Sequence, residues 1–393
     1  MGVTKRIYEH EIRDKLKMWS DQIKTIIPVL PQFYREDDIK GLLKTYYPHE
    51  WHSVEIKYDY YNKKDQYLKR RFGKPRFCMK RADILLKDVR LYSQICSEEY
   101  KNKYSNNFSE SNRQKAEKTL QAKRTPKIDK VNKKIETALK KTQQMTPAFL
   151  EQLIGLYERK DTTQKDRCYI LQELKKYYNQ RVIHFFFKLN DTELNKQLRW
   201  EAFYHLQSFN YQPRARRQKY MQVHTSNKKR KHYLKYDYPN ETYKIPHTPY
   251  ELEYRINNSK EQKLKYYDYF ISHSSKDSKS VQRLIEFENN ANKNVFCDWI
   301  NDVDYLKRNL ICEATLRVIE ERLKQSKALL YVDSENASES VWCIYELNYF
   351  LELDKPIYTI KKQDIDNDSF NITPLTDKWF VNPNYKNLPL IKV

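Results

Sequence analysis

The sequence predicts an α/β domain with a doubly wound, mainly parallel sheet over residues 266–393, preceded by a mainly α-helical, basic region. Three observations support this prediction. Short apolar runs alternate with amphipathic helical stretches after residue 265, as in repeated units of strand and helix. Before that point the apolar spacing is mostly helical, and Lys and Arg strongly outnumber Asp and Glu.

The charge is distributed unevenly along the 393 residues. Residues 266–393 carry 16 Lys and Arg against 20 Asp and Glu, which leaves 58 against 32 for residues 1–265. This asymmetry marks a boundary near residue 265 and indicates two different roles. No run of about 18 apolar residues occurs, and the N-terminus lacks the apolar segment of a signal peptide. We therefore expect a cytoplasmic protein that does not enter a membrane.

Glycine and cysteine usage excludes several kinds of site. The chain has only four glycines, all far apart, so neither a GxGxxG turn nor a Walker loop is present. Its six cysteines form no CxxC pair, which favours reduced thiols over disulfides or a zinc site. We therefore expect no metal.

Four segments precede the sheet domain in the predicted organisation. Residues 1–100 form a basic, Tyr- and Lys-rich region of mixed or helical character, and 101–145 form a charged connector with few large apolar side chains. Residues 146–237 form a helical domain that includes a basic segment, and 238–265 form a proline-bearing linker.

Apolar spacing and capping residues indicate where the helices of this front region lie. Helical spacing predicts a helix over 6–27. Thr146 followed by Pro147 predicts the start of another, and residues 164–178 form a further one. The sequence NDTE at 190–193 predicts the start of the next helix.

The basic segment covers residues 211–238, where cationic side chains alternate with tyrosines. Phosphate neutralisation and base stacking would use such a surface, which makes nucleic acid a candidate partner. A solvated charged face, in a composition typical of an AT-rich genome, explains the same residues without any function. Both interpretations stay open for the candidate contacts, which are Arg214, Arg216, Arg217, Lys228, Lys229 and Arg230.

Four apolar runs predict the strands of the sheet, which are Tyr267–Ser272, Asn294–Trp299, Ala328–Val332 and Pro356–Ile360. Helical stretches separate successive runs, so the strands should be parallel. In such sheets the ligand crevice lies beyond the carboxyl ends of the strands. Here that rim would hold the polar sequences SHSSKD, DWINDVD and DSENASES.

Residues 340–350, SVWCIYELNYF, contain a single acid, Glu346. An ionised carboxylate among large apolar side chains costs several kcal/mol unless it is compensated. On a helix capped by Ser338 or Ser340, Trp342 and Glu346 lie one turn apart on a face near the rim. An aromatic ring beside a carboxylate can stack a flat ring and contact a sugar. A solvated acid and a core tryptophan are the alternatives.

These residues together resemble a known family. The sequence YDYFISHSSKD, then FCDW, then the spacing of Ser340, Trp342, Cys343 and Glu346 are similar to the Toll/interleukin-receptor (TIR) domain, especially its bacterial and plant members. The resemblance covers roughly residues 266–361 and more loosely the tail to 393, together about a third of the chain. It implies a flavodoxin-like domain that, in many members, cleaves the nicotinamide–ribose bond of NAD. NAD would then be the substrate, with no cofactor.

The resemblance also implies the site residues. Glu346 matches the catalytic glutamate of the family, and Trp342 matches the aromatic residue one turn earlier. The substrate-binding residues implied besides Trp342 are Phe270, Ser272, His273, Ser275, Lys276, Asp298 and Trp299. The loop after the second strand departs from the family because it lacks the usual Pro-Gly.

One carboxylate suffices for this chemistry, because nicotinamide is a cationic leaving group that needs no protonation. Glu346 would stabilise the positive charge that develops on the ribose. We therefore expect an NAD nucleosidase, or a cyclase, in a prokaryotic anti-phage or immune system. The front region would sense a trigger, for example a phage-derived molecule. Two alternatives stay open: a non-catalytic TIR scaffold, and a nucleic-acid-binding front coupled to a signal-producing TIR domain.

Self-association through TIR domains would control the activity. The loop Asn301–Arg308 mixes Asp302 and Asp304 with Lys307 and Arg308, which suits pairing with an identical neighbour head to tail. We expect activity to rise with protein concentration.

Overall fold

The computed structural model describes residues 3–143, 145–216, 221–306 and 312–386. They form two compact units. The first comprises residues 1–140 and 203–222, and the second comprises 141–202 and 223–393. This division groups the five segments expected from the sequence differently, because most of the expected connector belongs to the first unit and the expected linker to the second.

Helices build the first unit. Its helices are α1 (Val3–Ile26), α2 (Glu36–Tyr46), α3 (Pro48–Phe72), α4 (Ala82–Leu85), α5 (Arg90–Ile95), α6 (Glu98–Asn106) and α7 (Glu110–Leu139). The predicted helix over 6–27 is confirmed as α1, where Trp19, Ile23 and Ile26 have no exposed surface. Helix α3 ends at Gly73, whose φ of 78° is left-handed and favours glycine.

Charge rather than apolar area attaches α7 to this unit. Leu120 is the buried residue of the helix. The Arg124 guanidinium donates to the backbone carbonyl of Tyr46 at 2.8 Å and pairs with Glu50 at 2.7 Å. A sequence with few large apolar side chains can therefore still pack, which its composition did not indicate.

The second unit begins with α8 (Pro147–Glu158), α9 (Gln164–Leu174), α10 (Gln180–Thr192) and α11 (Lys196–Ser208), followed by α12 (Lys228–Tyr236), α13 (Pro249–Asn258) and α14 (Lys260–Lys263). The residues of α11 from 203 onward belong to the first unit. The prediction that a helix starts at 190–193 is wrong, because α10 ends there. The Asn179 side chain caps α10 by accepting from the Val182 amide. Asn195 caps α11 in the same way.

The segment expected to be a linker contains two helices that pack. Thr248 caps α13 by accepting from the Glu251 amide at 3.3 Å. Arg255 of α13 is 1% exposed and pairs with Glu261 of α14 at 3.2 Å. These buried contacts attach the segment to the second unit.

A five-stranded sheet forms the rest of the second unit, with the order β2-β1-β3-β4-β5. The strands are β1 (Tyr267–Ser272), β2 (Val295–Phe296), β3 (Ser326–Asp333), β4 (Ile357–Lys361) and β5 (Thr373–Pro374). All pairings are parallel except that of β4 with β5. The predicted α/β flavodoxin-like sheet after a mainly helical region is confirmed.

Helices cover both faces of the sheet. They are α15 (Ser278–Asn290), α16 (Asp298–Asn301), α17 (Glu313–Lys324), α18 (Glu335–Ser338), α19 (Val341–Glu352) and α20 (Lys362–Asp366). One face packs apolar side chains with α17 and α19, and the other packs with α15. The second predicted strand is shorter than expected, because the chain turns into α16 at Asp298. Among the described helices, none is both long enough and apolar enough to span a membrane.

Candidate active site

Glu346 lies at the carboxyl end of the parallel strands, as its position on α19 predicted. Ser340 caps α19 by accepting from the Cys343 amide, which starts the helix beside this rim. Ser272, the last residue of β1, has no exposed surface, and its hydroxyl donates to Glu346 Oε2 at 2.6 Å. Glu346 is 6% exposed. The structure therefore joins two predicted site residues that are 74 positions apart.

Burial makes this carboxyl unusual. It raises the pKa of Glu346 well above the usual range of a glutamate, and the nearby negative charge of Asp298 raises the pKa further. The hydrogen bond from Ser272 acts in the opposite direction, because it stabilises the ionised form. A buried acid beside a second acid is an arrangement that favours binding of a cation.

His273 and Trp299 form a pair at the same rim. The Trp299 indole N–H donates to His273 Nε2. The other ring nitrogen, Nδ1, lies 3.1 Å from the Ile271 carbonyl oxygen, which can only accept. His273 therefore carries its proton on Nδ1 and uses Nε2 as an acceptor. In this arrangement His273 positions Trp299, and the lone pair on His273 Nε2 is used by that hydrogen bond.

The other predicted substrate contacts differ in accessibility. Ser275 and Lys276 are exposed in the turn after β1, and Asp298 is partly buried. Trp342 is partly buried and packs against the core beneath α19. Phe270 is different, because it is 1% exposed and its ring packs 5.2 Å from that of Phe296. The Phe270 side chain belongs to the core and offers no exposed surface to a substrate.

Two thiols lie close to Glu346. Burial and the neighbouring carboxyl groups raise the pKa of Cys297 well above its usual range. Burial and Glu346 raise the pKa of Cys343 to about 12. Both thiols stay protonated near neutral pH, so neither is an activated nucleophile.

One cluster among the described residues has potential metal ligands. His273, Cys297 and Asp298 offer atoms that lie within 4.8 Å of one another. His273 Nε2 already accepts the Trp299 indole N–H, and the thiol would have to lose its proton to bind a metal. The histidine nitrogen is thus already hydrogen-bonded, and the expected absence of a metal remains a prediction.

Asp277 is a rim residue that the sequence did not single out. It is 2% exposed, and its two carboxylate oxygens accept from the Ser334 hydroxyl at 2.6 Å and the Asn336 amide at 3.0 Å. These bonds join the turns that follow β1 and β3. The sequence places it in the rim sequence SHSSKD, but an acid before the start of a helix is common in solvated helix caps and indicated no role.

The described candidates for nucleic-acid contact divide between the two units. Arg214 and Arg216 are partly buried in the first unit, where Arg214 donates to the Ile7 carbonyl oxygen at 3.3 Å. Lys228, Lys229 and Arg230 are exposed on α12 in the second unit. Arg217 lies outside the described residues, as do Lys307 and Arg308 of the loop predicted to self-associate. The interpretation as a nucleic-acid surface stays a prediction.

A parallel sheet that carries a serine, a histidine and an aspartate at its rim, with a buried glutamate on the helix after β3, defines a TIR domain. The family model described as Thoeris protein ThsB, TIR-like domain, matches residues 270–366. This confirms the resemblance stated from the sequence.

Comparison with curated proteins extends the match to the front region. The chain is similar to the putative cyclic ADP-D-ribose synthase TIR2 of Cytobacillus dafuensis, with 32% identity over 363 residues, covering 92% of this chain and 93% of that protein. It is also similar to the probable 3' cyclic ADP-D-ribose synthase ThsB' of Bacillus cereus (strain MSX-D12), with 33% identity over 111 residues, covering 28% of this chain and 56% of that protein. No solved structure matches the chain. The chain belongs to the family of TIR-domain proteins that includes the Cytobacillus protein.

Proposed function

We propose that the protein cleaves NAD at the nicotinamide–ribose bond, as an effector of a prokaryotic anti-phage system. The observation that carries this proposal is the buried Glu346 carboxyl, which accepts from Ser272 and lies near Asp298. Its position in a TIR domain supports the catalytic role, and the names of the two relatives support NAD chemistry.

The electrostatics suit a cationic substrate. The nicotinamide ring of NAD carries a positive charge, which would favour ionisation of Glu346 in the complex. When the glycosidic bond breaks, its electron pair goes to the ring nitrogen and neutralises the nicotinamide. Positive charge then develops on the ribose, where the Glu346 carboxylate stabilises it in a water-poor site. Trp299, oriented by His273, would stack a ring of the substrate.

We propose cyclisation as the main outcome. The ribosyl carbon can be captured by another group of the same molecule, which gives a cyclic ADP-ribose, or by water, which gives ADP-ribose. In either case the acceptor forms the new bond, and any proton it carries passes to a carboxylate or to solvent. The relatives' names favour capture within the molecule, and the low exposure of Glu346 limits access of water.

The front helices are the proposed sensor of the trigger, and association of TIR domains is the proposed switch. The separate helical unit, which contains none of the sheet, supports the sensor role. A heterologous contact between TIR domains would make the specific activity rise with protein concentration.

The decisive experiment incubates the purified full chain with NAD at low and high protein concentration, with and without lysate of phage-infected cells. Nicotinamide release measures cleavage. Mass spectrometry separates the products, because the cyclic one is lighter by one water. Glu346→Gln keeps the Ser272 hydrogen bond but removes the charge, so it should abolish release. Glu352→Gln, at the exposed end of the same helix, is the matched control and should retain activity.

The opposing outcomes are distinct. A Glu346→Gln variant that releases nicotinamide at the wild-type rate would refute the catalytic assignment. A wild type that releases none under any of these conditions would favour the non-catalytic scaffold. If ADP-ribose is the sole product, the reaction is hydrolysis and the proposal of cyclisation is wrong.

A further inference from the structure

The turn that carries Asp298 and Trp299 has little structure of its own. Helix α16 is four residues long. Inside the turn, the Cys297 amide donates to Asn301 Oδ1 at 2.7 Å, which closes it on itself. Nothing in so short a turn fixes its orientation relative to Glu346. The orientation must come from its neighbours.

Besides the contacts of Trp299 with His273 and of Asp302 with Arg322, two residues from before the sheet bind the turn. The Gln143 side chain donates to the Ile300 carbonyl oxygen at 2.7 Å and accepts from the Asn301 amide at 3.0 Å. The Lys176 ammonium donates to the Asn301 carbonyl oxygen at 2.8 Å, and it lies 3.8 Å from Asp302. Three polar groups of the turn, the Ile300 and Asn301 carbonyl oxygens and the Asn301 side-chain amide, are thus satisfied by residues more than 90 positions before the matched region begins at residue 270.

Gln143 and Lys176 are themselves held together. The Gln143 amide donates to the Lys176 carbonyl oxygen at 2.7 Å. The Lys176 ammonium also pairs with Glu173 at 3.3 Å, and the Glu173 side chain is 1% exposed. A rigid, buried acid therefore fixes the lysine, and the lysine and glutamine fix the turn.

We propose that Gln143 and Lys176 are positioning residues of the NAD-cleaving site, which hold Asp298 and Trp299 at their working distances from Glu346 and His273. The inference rests on the proposed function. It adds that segments flanking the helices before the sheet contribute to the site, because Gln143 precedes α8 and Lys176 follows α9. A change in that region therefore reaches the reacting groups through two side chains.

The test compares single variants of the full chain by NAD kinetics. Lys176→Met keeps the aliphatic stem and removes the donors, so kcat should fall about tenfold or more, with a smaller change in KM, because displacement by 1 Å can cost about 100-fold. Lys176→Arg keeps donors and should recover most of the loss. Lys175→Met is the matched control, since Lys175 pairs with Glu201 at 2.7 Å instead.

A pH profile separates positioning from a general loss of structure. The ionisable groups that face Glu346 are Asp298 and the thiols of Cys297 and Cys343. Asp298 raises the pKa of Glu346, so a turn that moves away should shift the acid limb of the activity profile to lower pH. A merely destabilised protein would lose activity without this shift.

Each result decides the proposal. The proposal is supported if Lys176→Met lowers kcat and shifts the acid limb of the activity profile to lower pH, and if Lys176→Arg restores both. Unchanged kinetics of Lys176→Met, or a rise in activity, overturns it while NAD cleavage by the wild type upholds the proposed function. No cleavage by the wild type overturns both. If Lys176→Met does not fold, Gln143→Leu replaces it, and wild-type kinetics of that variant overturn the proposal.

Discussion

Removing the Ser272 hydroxyl tests the contact between β1 and the buried acid of α19. In Ser272→Ala, the hydrogen bond of 2.6 Å to Glu346 disappears, and a buried carboxyl loses its donor. The bond stabilises the ionised carboxylate, so its loss raises the pKa of Glu346 further. If the ionised form is the active one, the acid limb of the kcat/KM profile moves to higher pH.

The magnitude follows from the energy of the bond. A hydrogen bond to a charged group contributes about 1.5–3 kcal/mol. On the acid side of the profile, kcat/KM should therefore fall about 10- to 100-fold, because about 1.4 kcal/mol corresponds to a factor of ten. At alkaline pH, Glu346 ionises in both proteins, and the difference should shrink.

The assay measures nicotinamide release across the pH range for the wild type, Ser272→Ala and a control. Ser280→Ala is the matched control, because Ser280 is also a buried serine that donates to a carboxylate, Asp366, at 2.6 Å. Its activity profile should keep the wild-type shape. An equal loss by Ser272→Ala at every pH, or the same loss in Ser280→Ala, would refute the reasoning.

Two further predictions concern parts of the chain away from Glu346. Arg322 and Asp302 form a fully buried pair at 2.8 Å, so Arg322→Met should lower the free energy of unfolding by about 3–5 kcal/mol in a denaturant titration; an unchanged midpoint would contradict this. If the basic segment binds duplex nucleic acid, changing Lys228, Lys229 and Arg230 to Ala should reduce the slope of log affinity against log salt by about 0.9 for each phosphate that the variant no longer neutralises. Gel-shift titrations at several ionic strengths measure the slope. If the wild type does not bind at low salt, the interpretation of the segment as a solvated charged face stands. The control variant changes Lys130, Lys133 and Lys134 of α7 to Ala, which removes the same charge.

Local patterns were sufficient for β1, β3 and β4 and for the helical stretches between the strands. The run Tyr267–Ser272 was predicted with the limits that β1 has, and a helical stretch was predicted after it, where α15 lies. Both depend on neighbours in the chain: an apolar run between polar stretches for the strand, and 3.6-residue spacing for the helix. The same spacing indicated Glu346 as the one acid in the apolar run 340–350, on a helix at the rim.

Local patterns failed where a capping sequence lies at the wrong end of a helix or where charge replaces apolar area. The sequence NDTE at 190–193 has the residues of a helix start, but α10 ends there, and Asn179 and Asn195 cap α10 and α11 instead. Helix α7 packs through Arg124, which looks like any other cation in a charged sequence.

The sequence by itself determined the class of fold and the identity of the buried acid, because strand and helix patterns and motif spacing are properties of neighbouring residues. Only the tertiary structure decided which groups surround that acid. Ser272 reaches Glu346 across 74 positions, and Gln143 reaches Ile300 across 157. Such contacts follow from how the sheet and the preceding helices pack, and no period or spacing in the chain encodes them. The chemistry of the site is therefore readable from local sequence, while its geometry depends on packing between distant segments.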